Sequence, residues 1–254
     1  MVKGEGENPF QRVSKTIRTS GYDSPEVPPD YDMAMELDPD WQRDIKDFVD
    51  FIPESVDIAG ETKSLKDCTV LDVGVGTGAI TAAIKDRVGR IIAIDKAKAM
   101  VDYAGKKFAA DANVEVVRGD FTALPIEDGS VEMVVSAGTI FELPPDEEQE
   151  DKFLSELVRV LKPGGVVILN GVSNAEADCI TRQFPQRRKE NFEAAKHHKP
   201  ATGRRNYVFL SSELAGKLEK LGYRCQVETS SKQENKPLCD VKITLLEKIK
   251  ENEI

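Results

Sequence analysis

The sequence predicts one doubly wound α/β domain preceded by an extension, and three observations carry that prediction. From Cys68 onward, short β-branched apolar runs alternate with longer amphipathic ones. A glycine-rich segment, Asp72-Val73-Gly74-Val75-Gly76-Thr77-Gly78, joins the first apolar run to a helical pattern. The length of 254 residues suits one such domain with additions better than two full domains. The expected division is an extension over 1–60 and a domain over 61–254, with an insertion at about 174–206.

Along the chain, residues 1–38 hold Pro9, Pro25, Pro28 and Pro29 with little periodicity, which predicts mostly irregular structure and a mobile start. Asp38-Pro39 is a plausible cap and first turn. Trp41, Ile45, Phe48, Val49 and Ile52 then form one apolar helix face, which Pro53 ends. Strands are expected at Thr69–Val73, Arg90–Ile94, Val114–Arg118, Val131–Ser136 and Gly165–Asn170. The first four are nearly unbroken apolar runs, as strands covered on both faces should be. Helices are expected between most of them, at Gly78–Arg87, Lys98–Ala110 and Glu147–Leu161. Such alternation implies parallel pairing through right-handed crossovers. Pro163-Gly164-Gly165 stops the third helix. A helix over Ser211–Leu221 and closing strands at Tyr223–Glu228 and Asp240–Glu247 complete the pattern.

Composition narrows the function. A net charge of −10 argues against a general nucleic-acid-binding surface. Without a run of about 18 apolar residues, no membrane span is expected. The polar segment Met1–Phe10 does not read as a secretory signal. Cys68, Cys179, Cys225 and Cys239 are widely spaced, and His197 and His198 are the two histidines. That supply predicts reduced thiols, a cytoplasmic setting and no metal site. Charge is unevenly placed: residues 21–60 carry twelve Asp and Glu against Arg43 and Lys46, whereas 182–205 carry eight Lys and Arg against Glu190 and Glu193. The two segments could neutralise each other or contribute to binding.

The glycine-rich segment allows a sharp turn and close ligand approach to the main chain, with unpaired helix N–H groups beyond it. Gly74, Gly76 and Ala79 also satisfy the G-x-G-x-x-G/A pattern of nicotinamide and flavin sites. Asp95, ending the second strand, can accept from both ribose hydroxyls of an adenosine and serves either cofactor class. The third strand leads into Arg118-Gly119-Asp120-Phe121-Thr122-Ala123-Leu124-Pro125, where Asp120 could accept from an adenine amino group. With Asp95 followed by Met100, and with Leu157-x-Arg159-Val160-Leu161-Lys162-Pro163-Gly164-Gly165, the chain resembles the class I S-adenosylmethionine-dependent methyltransferases over residues 68–170. The likeness is to the broad group acting on small molecules, quinones and lipids, of the methyltransferase type 11-like kind. A dinucleotide site would not need Asp72, the Asp120 loop or the Lys162–Gly165 turn.

The resemblance implies a Rossmann-like, mostly parallel seven-stranded sheet with helices on both faces and an antiparallel last strand. It implies S-adenosylmethionine across the C-terminal strand ends. The cofactor-binding residues it suggests are Asp72, Gly74, Gly76, Thr77, Gly78, Asp95, Lys96, Met100, Asp120, Phe121 and Ser136. Asp72 would help hold the methionine end, beside which Ser136, Ala137 and Gly138 would lie. Ala97 is a departure, since many relatives carry serine there.

The acceptor is less legible. The Asn/Asp-Pro-Pro-aromatic tetrapeptide of many amine and amide methyltransferases is missing after the fourth strand, where Thr139-Ile140-Phe141-Glu142-Leu143 stands. Glu142 could be a base or an exposed carboxylate. Arg187-Arg188-Lys189 and Lys196-His197-His198-Lys199 suggest an anionic acceptor or a solvated surface helix. Tyr22, Tyr31 and Trp41, with Phe184, Phe192, Tyr207 and Phe209, could wall a pocket or simply pack. The expectation is a small-molecule methyltransferase in which the N-terminal segment and the insertion cover the acceptor. A methyltransferase acting on RNA or protein, and a non-catalytic adenosylmethionine-binding subunit, are the alternatives. Catalytic residues and oligomeric state are unassigned.

Overall fold

The computed structural model describes residues 9–137, 147–171, 211–229 and 239–248. The chain enters through helices α1 (Pro9–Ser20), α2 (Val27–Glu36) and α3 (Pro39–Phe51). An antiparallel hairpin follows, β1 (Ser55–Ile58) and β2 (Glu61–Ser64). Next come β3 (Thr69–Val73), α4 (Ala79–Ile84), β4 (Arg90–Asp95), α5 (Lys98–Lys107), β5 (Val114–Arg118) and β6 (Val131–Ser136). Helix α6 (Glu147–Val160) leads into β7 (Leu161–Gly171), and α7 (Ser211–Lys220), β8 (Tyr223–Thr229) and β9 (Cys239–Lys248) follow.

Seven strands form one sheet in the order β5-β4-β3-β6-β7-β9-β8. The first five pair in parallel, while β9 runs antiparallel between β7 and β8. Alternation along the strands supplies both cores. Leu71, Val73, Val134, Val167 and Leu169 pack with Phe153, Leu154 and Leu157 of α6 and Leu218 of α7. Val70, Ile91, Ala93, Met133, Val135 and Ile168 pack on the other face with Phe48 of α3 and Ile52 just after it, Ile80 and Ile84 of α4, and Ala104 and Phe108. Each fully buried side chain of this size contributes about 1.5–3 kcal/mol of transfer free energy. The doubly wound, mostly parallel sheet is the architecture expected from the strand–helix alternation.

The N-terminal region differs from its irregular expectation. Pro9 opens α1, Pro28 and Pro29 lie in the first turn of α2, and Pro39 opens α3. First-turn amides lack intrahelical partners, so proline costs no hydrogen bond there. Val13, Ile17, Val27 and Ala34 bury against Ala97 and Met100. Asp38 caps α3 by accepting from the Trp41 amide at 3.2 Å. The far end of α3 is also held, since the Arg87 guanidinium donates to the Val49 and Ile52 carbonyls and pairs with Glu54.

The sequence reading left out the β1–β2 hairpin, whose turn contains the expected boundary at residue 60. Its short strands are too polar to show a buried face. Two contacts fasten it to the base of the sheet. Lys63 of β2 and Lys162 pair with Glu132 at 2.5 and 2.6 Å, and the Thr69 amide donates to the same carboxylate at 2.8 Å. Gly164 lies so close to the Asp57 carbonyl that a Cβ would come within 2.2 Å of it. This packing also explains a difference in β7, expected to begin after the Pro-Gly-Gly turn. Leu161 already pairs with Val131 and Val166 with Met133, so the intervening residues bulge out of the ladder toward the hairpin. The expected insertion and the flagged Gly138, Glu142, Cys179, His197 and His198 lie outside the described residues.

Two buried carboxylates make opposite contributions. Burial pushes the Glu132 carboxyl up, but Lys162, Lys63 and the Thr69 amide outweigh it and hold the group below its ordinary value. Glu132→Ala should therefore cost about 2–4 kcal/mol in urea unfolding, because it orphans the Thr69 amide and two partly sheltered ammonium groups. A loss under about 0.5 kcal/mol, the usual scale of a surface change, would mean that the cluster does not hold the hairpin.

Asp72, on β3, has burial as its largest influence and is pushed up to about 6, with Asp95 adding to the rise and the Thr81 hydroxyl opposing it. Below about pH 4 the carboxyl is protonated in both folded and unfolded states and costs nothing. As pH rises through the interval to about 6, only the unfolded state ionises, so stability falls and then levels off. Asp72→Asn should consequently be more stable than the natural chain by about 1–3 kcal/mol at about pH 8, with the gain vanishing near about pH 4. Urea midpoints at the two pH values check the sign.

Candidate functional site

The sheet changes direction at β3. The crossover after β3 leads to β4 on one side, whereas the chain returning from β5 enters β6 on the other. Connections that diverge in this way leave a crevice outside the C-terminal strand ends. A cavity of about 600 Å³ lies there. Its size falls within the roughly 300–1,000 Å³ usual for small-molecule sites.

The glycine-rich turn forms one edge. The Gly74 and Val75 amides donate to the Ile94 carbonyl at 2.8 and 2.9 Å, which folds the turn back over the end of β4. Gly76 has a φ of +52°, and a Cβ built on it meets nothing within 4 Å. Gly78 has a φ of +86°, and its Cβ would lie 2.4 Å from the Phe108 ring. The two glycines thus serve different ends: Gly76 leaves room on the cavity side, and Gly78 lets α4 approach Phe108.

Asp95 organises the facing edge. Its Oδ2 accepts from the Gly76 amide at 2.9 Å, and its Oδ1 from the Ala97 amide at 2.9 Å. Burial pushes this carboxyl above its ordinary value, against the pull of the Ala97, Gly76 and Lys96 amides. Each oxygen retains acceptor capacity beyond these bonds. Lys96 reaches across to Asp120 at 2.7 Å. Asp120 also accepts from the Thr122 amide and hydroxyl at 3.0 and 2.8 Å. Burial raises the Asp120 carboxyl, but Lys96 and Thr122 prevail and hold it below the ordinary value.

The neighbouring loop is fixed from behind. Phe121 meets Phe153 edge to face at 5.4 Å. Arg159, singled out in the sequence motif, donates to the Leu124 and Ile126 carbonyls and pairs with Glu156 and Asp128. Glu156 in turn accepts from the Leu124 amide at 2.6 Å. Arg159 therefore ties α6 to the loop carrying Asp120 and Phe121, and does not line the cavity.

Of the residues singled out from the sequence, Gly74, Gly76, Asp95, Lys96, Met100, Asp120 and Phe121 line the cavity. Asp72, Thr77, Gly78 and Ser136 do not. They are buried behind it, where Asp72 accepts from Thr81 and the Ser136 hydroxyl donates to the Val73 carbonyl at 2.8 Å. Tyr22 from the α1–α2 corner, Tyr31 of α2 and Trp41 of α3 form another wall. Sequence reasoning missed Asp23, Gly119, Thr122 and Gln149 as lining residues. Gly119 and Thr122 flank a motif and were within reach, but nothing local marked Asp23 or Gln149. No histidine or cysteine lines the cavity among the described residues.

Residues 70–165 match the family described as a methyltransferase domain. The chain is 35% identical over 108 residues to a cypemycin N-terminal methyltransferase from a Streptomyces species, covering 42% of this chain and 43% of that protein. It is 33% identical over 116 residues to a demethylmenaquinone methyltransferase of Clavibacter sepedonicus, covering 45% of each. It is likewise 33% identical over 143 residues to a carboxy-S-adenosyl-L-methionine synthase of Erwinia tasmaniensis, covering 53% and 56%. The chain therefore spans about half the length of the curated relatives it matches.

Among solved structures, an S-adenosylmethionine-dependent methyltransferase from Methanosarcina mazei superposes with a TM-score of 0.56 at 19% identity, covering 73% of this chain and 94% of that one. One from Aquifex aeolicus gives 0.51 at 23% identity, covering 95% and 100%. At such identities the likeness is one of fold. Residues 70–165 thus match a methyltransferase-domain family, and the fold around them is that of the S-adenosylmethionine-dependent methyltransferase structures.

Proposed function

We propose that the chain transfers the methyl group of S-adenosylmethionine to a small-molecule acceptor. The observation that carries the reading is Asp95, a half-buried carboxylate linked to the Gly76 amide and facing the cavity. Its spare lone pairs suit the adjacent hydroxyls of a ribose. The open space over Gly76 would admit the ligand to the main chain, and Met100 and Phe121 offer apolar faces for a purine. Asp120 would accept from the adenine amino group while remaining paired with Lys96. Asp72, Thr77, Gly78 and Ser136 would act from behind, by holding the turn and the strand ends.

Asp23, Asp95 and Asp120 face Lys96 among the described lining residues, a balance suited to a cofactor with a net positive charge. Bound S-adenosylmethionine supplies a methyl group already activated on a sulfonium. The protein's task is then orientation and water exclusion, which can supply most of the acceleration. Tyr22, Tyr31 and Trp41 would exclude water from one side, in keeping with the N-terminal helices as a cover. A small acceptor is in keeping with a relative named for demethylmenaquinone, while another is named as a cypemycin N-terminal methyltransferase. An anionic acceptor rests on the basic clusters at 187–189 and 196–199, outside the described residues. A cytoplasmic setting belongs to the same proposal and is in keeping with the free thiols of Cys68 and Cys225. Among the described residues no helix is long and apolar enough to cross a membrane.

Calorimetry should detect S-adenosylmethionine, or its demethylated product, at about micromolar affinity, near −8 kcal/mol, with no response to NAD or NADP. Tight nicotinamide binding without a response to adenosylmethionine would sink the reading. Labelled cofactor incubated with fractionated cell extract should then mark metabolites. Label in RNA or protein would replace the small-molecule acceptor, and no label would leave a binding subunit.

Asp95→Ala should weaken cofactor binding by about 1.5–3 kcal/mol through loss of a charged acceptor. Gly76→Val should be worse, because it forces a branched residue to positive φ and fills the open side of the turn. Unchanged affinity in both variants would reduce the turn to a structural connection.

A further inference from the structure

We propose that Asp23 is a positioning residue for the cofactor, coupling the α1–α2 corner to the loop that carries Asp95. The inference deepens the cofactor reading above and rests on it. Its basis is an irregularity at the start of α5. The N-cap residue there is Ala97, at φ −76° and ψ +117°, and its side chain provides no capping acceptor. A helix start leaves amides without intrahelical partners, and a capping side chain ordinarily takes one of them. Here the cap comes from a distant part of the chain. Asp23 Oδ1 accepts from the Lys98 amide at 2.6 Å, across 75 positions of sequence.

Asp95 takes the preceding amide, that of Ala97, at 2.9 Å. Two carboxylates therefore divide the start of α5, one from the expected ribose side and one from the N-terminal corner. The corner is itself a wall of the cavity, since Tyr22 and Asp23 line it together with Ala97 and Met100. Hydrophobic packing makes the same connection, because Ala97 and Met100 are buried with Val13, Ile17, Val27 and Ala34. A second polar fastening lies one turn further along α5. Tyr103 donates to Asp32 of α2 at 2.9 Å, and Lys107 reaches Asp32 at 3.3 Å and the Thr77 carbonyl at 3.0 Å.

This arrangement gives Asp23 two effects that an ordinary cap would not combine. It stabilises α5, and it holds the α1–α2 corner shut against the residues that would meet the adenosine. Removing its carboxylate should let the corner leave the wall, so that bound cofactor product escapes faster. An in-place cap at position 97 would restore α5 without restoring the corner. The two effects are therefore separable.

The experiment uses the full chain unchanged, with Asp23→Ala, with Ala97→Ser, and with both substitutions. S-adenosylhomocysteine is the probe, its dissociation rate is the main readout, and thermal midpoints report stability. Asp23→Ala should release the probe about five- to tenfold faster and lower the midpoint, as loss of a charged cap implies. In the double variant, judged against Ala97→Ser alone, the midpoint should recover while release stays fast. Amide exchange over residues 9–36 should slow when the probe binds the unchanged chain, but not when it binds the double variant.

Release from the double variant at the rate of Ala97→Ser alone would overturn the proposal and leave Asp23 a helix cap. Unaltered release from Asp23→Ala would overturn it as well. Failure of the unchanged chain to bind the probe would instead bring down the cofactor reading, and this proposal with it.

Discussion

Asp95 holds the candidate site together because one carboxylate binds two pieces of backbone, adding to the bonds that the Ile94 carbonyl already makes to the glycine turn. Its Oδ2 takes the Gly76 amide of the turn after β3, and its Oδ1 takes the Ala97 amide just before α5. The two segments follow adjacent parallel strands, so the bond bridges the cavity edge rather than capping one helix. It also explains why a half-buried carboxylate is tolerated. Converging N–H groups replace part of the water that burial removes, although burial still raises the group above its ordinary value.

Around this bridge the chain forms two ends of different character. At the C-terminal strand ends, Lys96 with Asp120 and Thr122 with Asp120 form polar contacts beside a cavity. At the opposite end, Glu132 gathers Lys63, Lys162 and the Thr69 amide and draws the β1–β2 hairpin against the sheet. The Glu132 cluster joins the hairpin to the starts of β3 and β6, so its contribution is architectural. Arg159 plays a similar part on the α6 side, where its guanidinium binds the loop that presents Phe121.

The N-terminal helices belong to both the core and the site. Phe48 of α3 and the adjoining Ile52 complete the packing beneath α4, while Tyr22, Tyr31 and Trp41 reach the cavity. The family match over residues 70–165 contains the glycine turn, Asp95 and Asp120 but none of these helices. The segment matched by the family model therefore carries the glycine-turn side of the cavity. The wall built by the α1–α2 corner, α2 and α3 lies outside that segment.

The amino-acid sequence by itself determined the sheet and the edge of the site. Continuous β-branched runs, glycines in a strand-to-helix turn and acids at strand ends are local signals, because each depends on backbone geometry within a few residues. They located β3 to β6, the Gly74–Gly76 turn, and Asp95 and Asp120. Local signals misled where proline marked a helix start rather than a loop, as in α1 and α2. The hairpin was invisible because its strands are largely exposed and gain their place from Glu132 and Gly164, far along the chain. Only the tertiary structure decided that Asp72, Thr77, Gly78 and Ser136 lie behind the cavity while Asp23 lines it. Side-chain direction at the end of a buried strand depends on packing from both faces. The partner of the Lys98 amide depends on where a corner 75 positions away comes to rest, which no local pattern of residues encodes.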